Sequence, residues 1–149
     1  LGNITGPRLS IGPIPTFYKR LKAGQNCFCS DTSRDFLDMS DFLAFMDIAI
    51  QPHAPTGVFN IASGEAHSIK DIFDLVTDYL GLGSKEVPVV PPAADDVPVV
   101  SLDASETLKA FGWQARVGFA ETIKRQLAWY DRYGISDVFS HLKAPTQTK

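Results

Sequence analysis

Three histidines and two cysteines are the whole supply of imidazole and thiol ligands in 149 residues. His53, His67 and His141 are scattered, and two cysteines cannot make a zinc site, so no metal centre is expected. Cys27 and Cys29 stand two apart, which on a strand turns both to one face, where a bridge would be strained. They read as small half-buried thiols in a reduced cytoplasm. No apolar run approaches the roughly 20 residues that span a bilayer. A net charge of only -3 argues against an electrostatic nucleic-acid binder, which would show a basic face. The one glycine-rich stretch, Gly81-Leu82-Gly83-Ser84-Lys85, lacks the third glycine of a dinucleotide fingerprint and has the wrong spacing for a phosphate loop. It follows a helical pattern and reads as a C-cap. Ser63, in Ala62-Ser63-Gly64, is not in a nucleophile elbow. His67 reads as a loop residue before a helix cap.

What is present is an ordinary globular composition, 44% apolar and 21% charged, with length for one domain. Leu1-Gly2-Asn3 reads as the interior of a longer protein, with no signal peptide. Ile14, Phe17, Tyr18 and Leu21 have helical spacing, with Pro13 and Pro15 tolerated at the start and Gly24 as a stop. Asn26–Ser30 reads as a short strand and Arg34–Met39 as an extended piece. Ser40 or Asp41 is expected to cap a helix through Ile50, ended by Pro52. Val58–Ile61 is a strand candidate. Ser68 and Asp71 have the form of a capping box before the stripe Ile69, Ile72, Phe73, Val76 and Leu80. Glu86–Val90 reads as a strand, and Pro91–Pro98 is irregular. Asp103 caps a short helix to Phe111, stopped by Gly112, and Trp113 follows as a core anchor. Glu121–Tyr133 is the last long helix, 135–142 adds a short one, and a polar, disordered tail runs from Lys143. The fold class is α/β, reading as α+β in isolation, since regular strand–helix alternation is lacking.

Two arginines stand out. Arg8 and Arg34 each follow a turn-forming stretch. A planar guanidinium suits diphosphate or carboxylate recognition; the plainer reading is a structural or surface ion pair. Asp95 and Asp96 lie in a Pro/Ala loop and read as an exposed turn.

Four segments in order carry a resemblance. Asn3-Ile4-Thr5-Gly6-Pro7-Arg8 resembles an Asn-x-x-Gly-Pro-Arg motif, and Arg34-Asp35-Phe36 through Asp41 resembles Arg-Asp-Phe-x-x-Val-x-Asp. Phe59-Asn60-Ile61-Ala62-Ser63-Gly64-Glu65 with Ser68-Ile69, and Asp103-Ala104-Ser105 through Gly112-Trp113, resemble two further motifs, and Trp129 falls in the final helix. Together they resemble the C-terminal, substrate-binding part of an extended short-chain dehydrogenase/reductase. The family meant is that of the NAD-dependent nucleotide-sugar epimerases and dehydratases, in wording nearest the bacterial surface-polysaccharide (O-antigen) type. The resemblance implies residues 1–142 as a substrate-binding portion, of which 1–10 would be the tail end of a Rossmann sheet. It implies transient oxidation of a sugar at C4, tightly bound NAD held mainly by another half of the protein, and a UDP-sugar as substrate. By carry-over, Asn3 approaches the diphosphate near the nicotinamide, Arg34 pairs with the diphosphate, Phe28 lies against the base, and Arg8 belongs to the substrate side. No catalytic residue is assigned to this chain, which alone is expected to be inactive. A homodimer is implied for the full-length protein, and self-association is expected of the isolated piece, whose apolar face would lack its partner.

The pattern departs from the family in three ways. No glycine-rich fingerprint and no Tyr-x-x-x-Lys is read in the chain, which alone is therefore expected neither to bind NAD in the family manner nor to protonate the sugar. Ala93-Ala94-Asp95-Asp96 stands where the family often has Arg-Pro-Gly-Asp, so a second phosphate ligand is missing. The turn before Arg34 is short. Two alternatives stay open: a non-catalytic binding module of the same fold, or an extended-family reductase for a non-nucleotide substrate.

Overall fold

The computed structural model describes residues 1–135. The expected helix over 135–142, His141 and the polar tail lie outside the described residues, apart from Ile135. The fold is α/β. Its spine is a six-residue strand, β3 (Ser33–Asp38). Beside it lie β1 (Asn3–Thr5), parallel in the register Asn3↔Phe36, and β4 (Ala66–Ser68), antiparallel in the register Arg34↔His67. β6 (Val99–Val100) pairs parallel with the start of β3. A separate two-stranded sheet joins β2 (Cys29–Ser30) to β5 (Val89–Val90).

Strand alternation sends β3 into two cores. Phe36 belongs to the larger one, built with Ile14, Phe17 and Tyr18 of α1 (Pro13–Lys22), Ile72, Phe73 and Val76 of α3 (Ile69–Tyr79), and Ile123, Leu127 and Tyr130 of α5 (Phe119–Tyr133). Leu37, on the opposite face, packs with Phe45 of α2 (Met39–Ala49), Ile61 and Trp113. Each large side chain so buried contributes about 1.5–3 kcal/mol. Trp113 is the expected anchor, edge-on to Phe45 at 5.3 Å. The Ser68–Asp71 capping box forms as expected, and Gly81 leaves α3 at φ +66°.

Four local expectations need correction. Val58–Ile61 is not a strand. Its polar groups are used by other partners: the Asn60 amide donates to the Asp103 carbonyl at 2.9 Å and the Thr107 hydroxyl to the Asn60 carbonyl at 2.6 Å. Val58 is 99% exposed, while Phe59 and Ile61 pack into the Leu37 core from outside the ladder. The ladder place goes to Ala66–Ser68. α2 is capped by Asp38, which accepts from the Ser40 N–H at 2.8 Å, because Asp41 is committed elsewhere. β2 and β5 are two residues each rather than five, because Pro88 and Pro91 flank β5 and cannot donate to a ladder. Val99–Val100, unassigned by pattern, forms β6.

α4 (Ser105–Phe111) is the short helix expected after Asp103, whose carboxylate accepts from the Ser105 N–H at 2.8 Å. That backbone N–H also holds the Asp103 carboxyl below its ordinary pKa.

Candidate functional site

The motif carboxylates are fasteners. Asp35, 1% exposed, accepts from the Ser63 N–H and hydroxyl at 2.9 and 2.8 Å, and from the Gly64 N–H at 2.9 Å. It sews β3 to the Ser63-Gly64 turn. Asp41 is buried as well and accepts from the Arg116 and Val117 N–H groups at 3.0 and 2.8 Å, fixing the approach to α5. Sequence reasoning quoted both residues inside motifs, gave Asp35 no role and offered Asp41 only as a helix cap. The available signal was a charge in an alternating strand: Asp35 shares a face with Leu37, and a buried carboxylate needs several donors.

One residue earlier the strand presents Arg34 on the other face. Its guanidinium Nη1 donates to the carbonyls of Ser33 at 2.8 Å and Pro98 at 3.3 Å, and its Nη2 meets Asp96 Oδ1 at 2.5 Å. The side chains of the pair are 20% and 40% exposed. Asp96 is therefore more than a turn residue: it partners the arginine that the sequence singled out. His67, read as a loop residue, sits in β4 directly opposite Arg34. Its ring stacks on Phe119 at 3.9 Å and its Nε2 is 3.5 Å from Glu65 Oε2. Phe119 also packs on Phe36, so an aromatic wall flanks the arginine's face of the sheet.

Asn3 pairs in register with Phe36, two residues along from Arg34 on the neighbouring strand, and so shares that face. Its side chain is exposed and makes no hydrogen bond among the described residues. Phe28 is 44% exposed, turned out beside the fully buried Cys29. Arg8 is exposed at φ +68°, without an ion pair among the described residues. No hydrogen bond or ion pair joins Asn3, Phe28 or Arg8 to Arg34; the structure brings Asn3 and Arg34 to one face and leaves the other two apart from them by any direct bond.

The reading that the chain has no Tyr-x-x-x-Lys needs correction: the spacing does occur, at Tyr18 and Lys22 on α1. Lys22 Nζ donates to the phenol oxygen at 3.0 Å. The phenol in turn donates to Asp131 at 2.5 Å, and Tyr79 donates to the same carboxylate at 2.7 Å. Burial and then the Asp131 hydrogen bond raise the Tyr18 pKa, and the Asp131 bond pushes Tyr79 up to about 12. A proton relay at neutral pH needs the opposite shift. The cluster braces α1, α3 and α5. Burial also raises both thiols, Cys29 to about 11, which leaves them unreactive.

Two hollows open elsewhere. One of about 290 Å³ lies where Thr5 and Asp38 end their strands against Arg125, Gln126 and Trp129, and one of about 560 Å³ lies between α3 and α5. Neither contains Asn3, Phe28, Arg8 or Arg34. Gln126 is 1% exposed and its amide has no hydrogen-bond partner among the described residues. Among the described residues no group of three metal-ligating side chains gathers, and no helix is long and apolar enough to cross a membrane.

The chain is 67% identical to the Bordetella bronchiseptica enzyme WbmG in a structure with NAD, at TM-score 0.87 over 95% of this chain and 45% of that one. A structure of WbmG with NAD and UDP matches at 66% identity and TM-score 0.88, over 97% of this chain and 47% of that one. This likeness supports a place among the extended short-chain dehydrogenase/reductases, with the nucleotide-sugar epimerases and dehydratases. WbmH of the same organism, in complex with NAD+, is 32% identical at TM-score 0.78, over 89% of this chain and 44% of that one. GDP-mannose 4,6 dehydratase 1 of Arabidopsis thaliana is 27% identical over 95 residues, which is 62% of this chain and 26% of that protein. No family model matches. The chain thus spans less than half the length of these solved relatives and about a quarter of the curated ones.

Proposed function

We propose that this chain is the substrate-binding portion of an NAD-dependent nucleotide-sugar epimerase or dehydratase, with residues 1–10 closing its Rossmann sheet. The observation that carries the reading is the 66% identity to WbmG in a complex with NAD and UDP. In this reading Arg34 grips the diphosphate. Its Nη1 is held by two carbonyls, so the guanidinium plane is set before ligand arrives, and a charge-assisted pair to phosphate needs that fixed fork. Phe28 offers an exposed ring to the base, and Arg8 adds an exposed positive charge on the substrate side. Asn3 presents an unpartnered amide on the Arg34 face, at the end toward the nicotinamide.

NAD fits this chain only at that rim. The described residues contain no glycine-rich strand-to-helix turn, so its principal binding surface belongs to the remainder of the protein. When bound, NAD would supply hydride transfer at the sugar's C4, with Asn3 the residue of this chain nearest to it, and that chemistry would be the cofactor's own. The residues described here bind and orient; none supplies the acid or base. A UDP-sugar is the proposed substrate, the native assembly a homodimer and the compartment the cytoplasm.

The Arg34–Asp96 contact favours a second reading, in which the arginine is structural and the substrate is not a nucleotide. Calorimetric titration of the full-length protein with UDP and UDP-sugars separates the two. Loss of binding in Arg34→Ala is the expected result. Equal binding by wild type and Arg34→Ala would remove Arg34 from the diphosphate site.

A further inference from the structure

The residue proposed to hold a diphosphate already holds an anion. We infer that Asp96 is a built-in competitor at this site: its carboxylate occupies the free edge of the Arg34 guanidinium until a nucleotide diphosphate displaces it. The inference rests on the diphosphate reading of Arg34.

Three features support it. First, the guanidinium contacts divide by function. Nη1 bonds the carbonyls of Ser33 and Pro98, which belong to β3 and to the residue before β6, while Nη2 alone meets the carboxylate. Losing Asp96 therefore leaves the fork oriented and frees one edge for another anion. Second, Asp96 sits on a loop that can leave without uncovering a core. Residues from Ala93 to Val99 are all exposed. The segment is pinned just beyond Asp96, where the Ser33 N–H donates to the Pro98 carbonyl at 2.8 Å and β6 pairs with β3. Third, the charges conflict once ligand is bound. A diphosphate on Arg34 would lie beside Asp96 and its neighbour Asp95, and like charges at close range repel. Binding and loop displacement are then one coupled event: the ligand exchanges one ion pair for another and forgoes part of its affinity.

The test uses the full-length protein at low ionic strength, titrated with UDP and, as an uncharged control, uridine. The variants are Asp96→Asn, Arg34→Ala and the two combined. Asp96→Asn keeps the shape of an exposed side chain, so it does not threaten folding. The expected result is UDP binding tightened about two- to fivefold, the scale of an exposed ion pair. Uridine binding stays unchanged, the gain shrinks at high salt, and it vanishes in the double variant. If Asp96→Asn binds UDP no more tightly than wild type while Arg34→Ala loses binding, the competitor is refuted and the diphosphate reading stands. A gain that survives in the double variant also refutes it, since Asp96 would not be acting through Arg34. Arg34→Ala binding like wild type, or no UDP binding by wild type or Asp96→Asn, overturns the diphosphate reading and the inference with it. Should Arg34→Ala fail to fold, the affinity and salt dependence of Asp96→Asn decide alone.

Discussion

Removing the Asp35 carboxylate tests the claim that this strand is sewn into place by a charge. Asp35 is 1% exposed and takes three hydrogen bonds, two from backbone N–H groups and one from the Ser63 hydroxyl. A hydrogen bond to a charged group is worth about 1.5–3 kcal/mol net. Ser63 is only half-buried and Gly64 is exposed, so their freed donors regain water and the sum must be discounted. Asp35→Ala should then cost about 2–4 kcal/mol, and Ser63→Ala, which deletes one hydroxyl donor, about 1 kcal/mol. The two must not add: once the carboxylate is gone the hydroxyl keeps only its longer, exposed contacts with the Glu65 N–H and carbonyl, so Ser63→Ala costs less in the Asp35→Ala background than in wild type. Urea unfolding followed by tryptophan fluorescence reads all four corners of this cycle. A loss below about 0.5 kcal/mol for Asp35→Ala, or strictly additive costs, would refute the clamp, because contacting residues in one network are expected to couple by at least that much.

Gly6→Ala places a methyl group on the Met39 side chain at the start of α2. Overpacking of this kind costs about 1–3 kcal/mol, read as a fall in melting temperature; an unchanged melting temperature would show that Met39 yields freely. Burial raises the Cys29 thiol from 9.0 to about 11. The folded state therefore keeps a proton that the unfolded state gives up, so this stability is complete below pH 9.0 and is lost as pH climbs through about 11. Melting temperatures from the two forms across that window should show a gentler alkaline decline for Cys29→Ala than for wild type, and parallel declines would rule the thiol out as a cause.

Helices were legible because their signals are local. Proline at the start of α1, the Ser68–Asp71 box and the glycine stops act within one turn of the residues that carry them. Strands depend on partners far along the chain. Val58–Ile61 looked as good a strand as Ala66–Ser68 looked poor, yet only the second meets β3, because Asn60 spends its polar groups on Asp103 and Thr107. The candidate site was legible to the extent that it resides in single residues. Arg34 and Asn3 could be picked out by type and motif, whereas the Asp96 partner, 62 positions away, could not. The Tyr18–Lys22 spacing shows the converse: a pattern with catalytic form whose burial and Asp131 partner turn it into a brace.

The alternation of β3 explains why motif likeness speaks more directly to fold than to chemistry here. Arg34 and Asp35 are neighbours in one motif but point to opposite sides of the sheet. Asp35 faces inward and ties down the segment that carries a second motif, while Asn60 of that segment bonds the Asp103 carbonyl of a third. Each of these residues holds another in place, so their joint presence speaks for a fold whatever the ligand. Arg34 and Asn3 lie on the opposite side, which buries Phe36 in the larger core, so there only the side chains that reach solvent are free to differ in what they bind. Substitutions at Asp35 should therefore change stability before affinity, and those at Arg34 and Asn3 affinity before stability.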